Sequence, residues 1–434
     1  MRAFHMAWSA FFLAFFGWFG IAPLMVVVRD DLGLTQTQIG NTIIASVLIT
    51  ALVRVAIGPL CDRLGPRRTY SALLMLGALP VMGIGLAQSY ETFLVMRLLI
   101  GGIGAAFVIT QYHTSSMFAP NVVGTANAVT AGWGNLGGGV TQMAMPLVFS
   151  AMVMLGVSES LGWRLAMIVP GVALFAMGIA YRFLTQDAPD GDLAELRANA
   201  ATRAEGGEED RSDRQATWAA VKDVRVWSLF LIYGSCFGAE LTMNNVAALY
   251  FHDRFELSLT AAGLIAGTFG TMNLFTRALG GLASDRMARV MGLSGRVAFL
   301  GAVLAIEGVV LMAFSQMASL VAAVAAMILC SLFVQAASGA TYGVVPFMHR
   351  RALGTVAGIV GAGGNAGAVA AGFLFRSESI ATADAFFYMG AVVTVCSALV
   401  LVVRFSPSQE RSENRAFHEA LAERSGAARS EVST

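Results

Sequence analysis

The amino-acid sequence predicts an all-α membrane protein whose twelve transmembrane helices form two pseudo-symmetric bundles of six. Its 434 residues are 56% hydrophobic and only 13% charged, whereas soluble domains are about 25% charged. Apolar runs of about 20 residues, the length that crosses a bilayer, recur along the whole chain. The pattern Arg-x-x-x-Gly-x-x-x-Asp-Arg occurs at 54–63 and again at 277–286, which indicates an internal repeat.

The apolar runs account for the twelve spans. The first run is too long for a cleaved signal peptide, and we expect it to remain as a helix. The predicted spans are 4–28, 38–60, 69–88, 92–114, 122–153, 163–184, 225–250, 259–283, 296–314, 318–344, 353–375 and 384–404.

Polar segments divide the chain. The segment 185–222 is rich in Asp, Glu, Arg, Ala and Gly, which is typical of a solvated linker, and the tail 405–434 is similar. We therefore predict an N-terminal half 1–184, the linker, a C-terminal half 223–404 and the tail. Basic residues concentrate on the side of the linker, and such residues favour the cytoplasmic side. We expect a multi-pass protein of the inner (cytoplasmic) membrane with both termini in the cytoplasm.

Composition argues against several other classes of protein. A net charge of +1 without a long basic block argues against a nucleic-acid partner. The four cysteines show no CxxC spacing and there is no histidine cluster, so we expect neither disulfides nor a metal site. The sequence shows no nucleophile–base set and no phosphate-binding loop. We therefore expect no enzyme activity and no cofactor.

A second motif is repeated in register with the first. The glycine-rich stretch GWGNLGGG at 132–139 returns as GAGGNAGA at 361–368, in the same direction and at nearly the same distance from the arginine motif. Two motifs repeated in this way predict parallel halves related by an axis along the membrane normal. The substrate site of such a protein lies between the halves, near the midplane.

Arg54 and Arg277 occupy equivalent places in this repeat and are predicted to face one another across the axis. A charge at membrane depth is tolerated only beside a cavity, a partner or a ligand. Because a guanidinium group donates two parallel hydrogen bonds to an oxyanion, the pair predicts a small anion with several oxygens as substrate. In the alternative, each arginine pairs with a carboxylate, and the intramembrane acids are Glu240 and Glu307.

The glycine-rich helices present faces without side chains, which favour close helix packing. Packing alone does not explain the amides Asn135 and Asn365, which occur at equivalent places within these faces. We interpret them as contacts to the anion or as latches between sliding helices. Gly134 and Gly363, in the same faces, complete this set of candidate substrate contacts.

The turns that follow the two arginines are predicted to be conformational switches. Gly58 precedes the Asp62–Arg63 turn, and the Asp285–Arg286 turn repeats it. Ion pairs and helix-end interactions at such turns hold one conformation closed and break in another.

Three further polar residues lie within the predicted spans. Arg97 is either a third cation on the pathway or a snorkelling anchor beside Glu91, and the anchor is favoured. Glu240 and His113 are the candidate groups for proton coupling.

These motifs resemble a known family. GPLCDRLGPRR, its repeat GGLASDR and the twelve helices are similar to the major facilitator superfamily. AGWGNLGGGVTQ and GIVGAGGNAGAVAAG resemble the two signature segments of its nitrate/nitrite porter family, and FFLAFFGWFGIAPL, FVITQYHTSSMF and FGAELTMNN resemble it as well.

The resemblance implies a major facilitator fold and a set of site residues. Arg54 and Arg277 would clamp the anion from opposite sides, and Asn135 and Asn273 would add hydrogen bonds. The remaining implied contacts are the rings of Phe107 and Phe237, which would sandwich a flat anion, and the hydroxyl of Tyr233.

The implied function is transport of nitrate or nitrite by alternating access, with exchange of the two anions favoured. Proton-coupled nitrate symport through Glu240 or His113 is the rival mechanism. A carrier of another small anion, such as formate, is a further alternative, and a nitrate sensor that signals through the linker or tail is less favoured. The expected partners are the anion and the lipid bilayer, and the expected state is a monomer.

Overall fold

A computed structural model describes residues 2–118, 123–192, 209–349 and 352–411. Within them the chain is almost entirely helical, with helices that match the twelve predicted spans. These helices, labelled in chain order, are α1 Arg2–Leu32, α2 Gln36–Leu64, α3 Pro66–Leu86, α4 Tyr90–Met117, α5 Val123–Met154, α6 Glu159–Leu184, α7 Val224–Phe255, α8 259–291, α9 293–315, α10 Leu320–Val344, α11 Leu353–Arg376 and α12 Thr382–Ser397.

The boundary between α8 and α9 is a single glycine. Thr276–Ser315 runs as one helical segment, and Gly292 interrupts it with φ 63° and ψ −151°. This conformation is open to glycine and costly for other residues. In the described residues, 11 segments are therefore long and apolar enough to cross a membrane, with Leu259–Leu274 as a shorter apolar helix.

Three of the predicted spans are interrupted, a feature the apolar runs do not reveal. In α1 the first helix ends at Phe19 and a 3-10 turn follows at Ala22–Leu24. In α4 a 3-10 turn occupies Gly102–Ala105, and in α8 another occupies Met272–Leu274. Non-helical backbone at membrane depth is tolerated where it is buried in protein or lines a cavity. The interruption in α4 ends two residues before Phe107, and the one in α8 contains Asn273.

Glycines permit the closest helix contacts. A Cβ atom at Gly137 of α5 would lie 2.1 Å from the carbonyl oxygen of Phe12 in α1. At the equivalent place in α11, a Cβ atom at Gly367 would lie 1.9 Å from the carbonyl oxygen of Gly234 in α7. Both distances are to backbone atoms, so the glycine faces set the separation of α1 from α5 and of α7 from α11.

The helices α1–α6 form what we call the first group, and α7–α12 the second group. We call the end of the bundle that carries the linker the linker end, and the other end the far end. Hydrogen bonds between described residues that join the two groups lie in the half towards the far end. They include Arg29 Nη1 to Asp253 Oδ2 (2.7 Å), Gln36 Nε2 to the Ser377 carbonyl (3.0 Å) and Gln142 Nε2 to the Asn244 carbonyl (2.5 Å).

Part of the predicted linker is helical, from Glu209 to Lys222. Residues 193–208 of the linker and the tail from 412 onwards lie outside the described residues. The division of the chain into domains at 185–222 stays a prediction.

Candidate functional site

Arg277 lies at the centre of a buried polar cluster in the second group. Its Nη2 donates to Glu240 Oε2 at 2.5 Å, and its Nε donates to Asn273 Oδ1 at 3.3 Å. Asn273 Nδ2 donates in turn to Glu240 Oε1 at 2.9 Å, so the three side chains close a ring. Gln335 Oε1 of α10 accepts a further hydrogen bond from Arg277 Nη2 at 3.4 Å.

The expectation that Arg277 lacks a carboxylate partner is therefore wrong. The alternative, an ion pair with Glu240, is correct for this arginine. The ion pair forms because Glu240 of α7 faces the interrupted part of α8. There the side chain of Asn273 bonds both Glu240 and Arg277. Glu307, the other intramembrane acid, is fully buried in α9 and has no hydrogen-bond partner among the described residues.

Arg54 has a different environment. Its Nη2 donates to the carbonyl of Gly104 at 3.2 Å, within the 3-10 turn of α4, and its guanidinium carbon lies 5.4 Å from the ring centre of Phe107. Its Nε is buried without a hydrogen-bond partner, and no ion pair to Arg54 is found in the described part of the chain. The charge of Arg54 is therefore free to meet an anion.

Two tyrosines connect the arginines in space. Tyr233 and Tyr342 both lie within electrostatic range of both guanidinium groups. Arg54 and Arg277 therefore border a common region between the two groups of helices. Counted in their charged forms, Arg54, Arg277 and Glu240 sum to +1.

Aromatic rings line both arginines. Phe237 lies 5.6 Å from the guanidinium carbon of Arg277, and Tyr233 stacks on Phe237 with ring centres 5.1 Å apart and planes 7° apart. Tyr342 stands perpendicular to Tyr233, with ring centres 5.2 Å apart. On the other side, Phe11 contacts Phe107 at 5.7 Å. Flat rings therefore lie beside both guanidinium groups.

The amides of Asn135 and Asn365 are almost fully buried, and neither side chain has a hydrogen-bond partner among the described residues. A buried amide without a partner needs an explanation, and an anion is one. The glycines beside them pack against the other helices. A Cβ atom at Gly134 would lie 1.8 Å from the Phe11 ring, and one at Gly363 would lie 2.1 Å from the Phe230 carbonyl oxygen.

The turns after the arginines contact their own group of helices. The hydroxyl of Tyr112 donates to Asp62 Oδ1 at 3.0 Å, and Arg296 Nη1 of α9 donates to Asp285 Oδ1 at 2.5 Å. Arg63 and Arg286 are exposed. A Cβ atom at Gly58 would have no neighbour within 4 Å. Their role as a switch stays a prediction.

The two candidate proton-coupling groups lie in different places. Glu240 is part of the site. His113 lies at the linker end of α4, where its ring nitrogens bond the Tyr181 hydroxyl and the Gln186 carbonyl. Its partners lie in α6 and directly after it, and they do not include either arginine.

Sequence reasoning did not find three residues of this region: Phe11, Gln335 and Tyr342. Aromatic and amide side chains on membrane helices most often serve packing, so residue type alone does not predict that these three lie at the site. For Gln335, a polar residue inside an apolar run was the one available sign.

Comparisons with known proteins identify the family of this chain. Residues 7–345 match the model of the Major Facilitator Superfamily. The chain is 41% identical to "High affinity nitrate transporter 2.5" of Arabidopsis thaliana, over 93% of this chain and 80% of that protein. It is 30% identical to "Nitrate/nitrite transporter NrtP" of Picosynechococcus sp., over 84% of this chain and 83% of that protein.

Solved structures show the same fold. A bacterial homologue of the human lysosomal transporter Spinster matches with a TM-score of 0.71 at 15% identity, covering 93% of this chain and 98% of that one. The nucleoside transporter NupG matches with a TM-score of 0.64 at 14% identity, covering 94% and 100%. The chain belongs to the Major Facilitator Superfamily and, within it, to the family of the high-affinity nitrate transporters and the NrtP nitrate/nitrite transporters.

Proposed function

We propose that this protein is a secondary transporter that moves nitrate, nitrite or both across the cytoplasmic membrane by alternating access. The anion binds between Arg54 and Arg277, with Asn135, Asn273 and Asn365 as further donors. The observation that carries the proposal is a buried region with one unpaired guanidinium and one paired guanidinium, and with a net charge of +1. The names of the relatives supply the identity of the anion.

The charge and shape of the site favour a flat monovalent anion. One negative charge neutralises the region, whereas a dianion such as sulfate would leave an excess negative charge at low dielectric, which is costly. The rings of Phe107 and Phe237 beside the arginines suit a planar ion. Nitrate and nitrite are both flat and monovalent, and their charge is spread over their oxygens.

Alternating access follows from where the two groups of helices meet. The described hydrogen bonds between the groups lie towards the far end, so the two groups are held together there. We infer that the anion leaves and enters this conformation from the linker end, which is the cytoplasmic side if the linker and both termini lie in the cytoplasm. Rocking of one group against the other would open the far end.

Exchange of nitrate for nitrite is the favoured mode. An anion between the arginines stabilises the closed intermediate, because the empty site carries uncompensated positive charge. Glu240 reduces this repulsion, and the same observation favours a second candidate, proton-coupled nitrate symport. In that mode the anion displaces Glu240 from Arg277, and Glu240 is the group proposed to carry the proton.

Flux in proteoliposomes distinguishes the two modes. Exchange predicts that nitrite inside the vesicle accelerates nitrate uptake and that an imposed pH gradient has little effect. Symport predicts that an imposed pH gradient drives nitrate uptake and that nitrite inside the vesicle has little effect. A carrier of another small anion, such as formate, would show transport that nitrate does not inhibit. A sensor would bind nitrate without flux, and an enzyme would convert it.

The first test compares Arg54→Lys and Arg277→Lys with the wild type. Lysine keeps the charge and loses the planar pair of donors, and a hydrogen bond to a charged group contributes about 1.5–3 kcal/mol. We expect nitrate flux to fall by about 10- to 100-fold in each variant. Arg289→Lys, an exposed position on the same helix as Arg277, is the control. Near-normal flux in both site variants would contradict the proposed clamp.

A further inference from the structure

A third arginine is buried without a carboxylate. Arg97 of α4 is 1% exposed. Its Nη1 donates to the carbonyl of Trp18 at 3.4 Å, and its Nη2 donates to Asn245 Oδ1 at 3.2 Å. Its Nε has no hydrogen-bond partner, and no ion pair to it is found between described residues. The expectation that Arg97 snorkels beside Glu91 is therefore wrong, because a snorkelling head group is exposed to water.

Arg97 lies one layer beyond the arginine pair, towards the far end. On α4 it precedes Gly104, whose carbonyl binds Arg54, by seven residues. On α7 its partner Asn245 follows Glu240, which binds Arg277, by five residues. At a rise of 1.5 Å per residue these separations are about 10 Å and about 8 Å. The helices of both groups therefore place this contact above the central site by similar distances.

The contact between Arg97 and Asn245 joins the two groups of helices. Trp18 belongs to the same group as Arg97, and its carbonyl lies where the first helix of α1 ends, so this bond remains when the groups part. Asn245 Nδ2 donates to Leu241 of its own helix and remains as well. Parting of the groups at the far end therefore frees Nη2 of Arg97, beside an Nε that already lacks a partner.

Further polar groups surround this layer. Gln142 Nε2 of α5 donates to the carbonyl of Asn244, which adjoins Asn245. The side-chain oxygens of Gln142 and Asn244 are buried and have no hydrogen-bond partner among the described residues. Amide oxygens accept hydrogen bonds and do not bind an anion, so these two are left for water. The fixed cation of Arg97, with its unused donors, attracts a small anion when water and ions reach this layer.

We propose that Arg97 forms a second anion-binding site, which is assembled when the far end opens. It takes a monovalent oxyanion such as nitrate or nitrite before that ion reaches Arg54 and Arg277. This inference rests on the proposed function, because it requires transport through the far end. The competing explanation is that Arg97 serves only to hold the end of the first helix of α1 through Trp18.

The sidedness of a substitution distinguishes the two explanations. Arg97→Gln is reconstituted in vesicles of both orientations, and the half-saturating nitrate concentration is measured for uptake from each end. We expect it to rise at least tenfold for uptake from the far end and to change less than twofold from the linker end. Arg97→Lys, which keeps the charge, should restore most of the loss, and Arg54→Lys should impair uptake from both ends.

Equal effects from both ends, or no effect, would overturn the second site. Wild-type protein that moves no nitrate from either end would instead overturn the proposed function. A second variant, Asn245→Asp, gives Arg97 a carboxylate partner across the groups. We expect it to keep or raise the melting temperature and to lose uptake from the far end. Unchanged half-saturation from that end would count against the inference.

Discussion

Arg277 and Glu240 form a buried ion pair, with 2.5 Å between Nη2 and Oε2, and Asn273 bonds to both members. The carboxylate is thus held against the cation that the anion is proposed to bind. A buried carboxylate beside an anion site is a competitor for the donors and also sets the charge of the site. This relationship governs which anions bind and how tightly.

Glu240→Gln tests that role of the carboxylate. The amide keeps the shape and removes the negative charge, so the site changes from +1 to +2. We expect nitrate to bind about tenfold more tightly, equivalent to about 1.4 kcal/mol, and sulfate to become a competitor. Isothermal titration of the purified protein with nitrate, with and without sulfate, measures both effects. Glu91→Gln, an exposed carboxyl on α4, is the control. Weaker nitrate binding would show that Glu240 acts mainly by holding Arg277 in place.

Gly364→Ala tests the aromatic side of the site. A Cβ atom there would lie 2.4 Å from Phe237 Cδ1, so the ring must move away from Arg277 and Tyr233. Overpacking of this kind typically costs about 1–3 kcal/mol. We expect a lower melting temperature and weaker nitrate binding. Gly358→Ala on the same helix is the matched control, because its Cβ would have no neighbour within 4 Å. Equal melting temperatures would mean that the ring has room to shift.

Much of the fold was predictable from sequence. The apolar runs and the two repeated motifs predicted the helical membrane fold, which the structure and the family comparison confirm. The interruptions in α4 and α8 were not predictable, because their 3-10 turns contain no Pro and no polar run, whereas the turn in α1 contains Pro23. At Phe275, for example, φ is −133° within an otherwise apolar stretch.

The candidate site was predictable in part. A lone arginine in an apolar run is a strong signal, and the structure places Arg54 and Arg277 on one shared region. The ion pair between Arg277 and Glu240 was predicted only as an alternative. The two residues are 37 positions apart, and no local pattern links them. The burial of Arg97 was missed for the same reason. Its partners, Trp18 and Asn245, come from distant parts of the chain.

Gly40→Ala tests the closed far end. A Cβ atom at Gly40 of α2 would lie 2.5 Å from the Cα atom of Arg376 in α11, where the two groups of helices meet. The substitution should disfavour this conformation and open the far end. Spin labels introduced by Asp30→Cys and Ser379→Cys report the separation, which we expect to lengthen.

Gly358→Ala on α11, the helix that Gly40 contacts, is the comparison for Gly40→Ala. Its Cβ would have no neighbour within 4 Å in this conformation, so it should not open the far end. An unchanged distance between the spin labels in Gly40→Ala would show that α2 and α11 separate elsewhere.

Asp223→Asn tests a cluster at the linker end. Burial alone would raise the pKa of Asp223, but hydrogen bonds from Arg225 and His349 outweigh it and lower the pKa to about 2. A lowered pKa stabilises the fold above about pH 4, and this contribution is lost as the pH falls towards 2. At neutral pH it is worth about 2 kcal/mol, at about 1.4 kcal/mol per pKa unit.

We expect Asp223→Asn to lower the free energy of unfolding at neutral pH by about that amount. The variant should also lose part of the decline in stability between about pH 4 and pH 2. Unfolding in detergent at a series of pH values measures both effects. Asp384→Asn, an exposed carboxyl of the same group of helices, is the control. Identical pH profiles for wild type and Asp223→Asn would exclude this cluster as a source of acid sensitivity.

The net charge at the centre of the protein has an electrical consequence. A membrane potential acts on moving charge, with about 2.3 kcal/mol per elementary charge across 100 mV. In the proposed transport cycle the empty site carries a charge of +1, so we expect its return across the membrane to sense voltage, whereas the site loaded with nitrate is neutral and does not. One-for-one exchange moves only the loaded form and is electrically silent. Net uptake requires the empty form to return. We therefore expect the rate of net uptake to depend on the sign and size of the membrane potential.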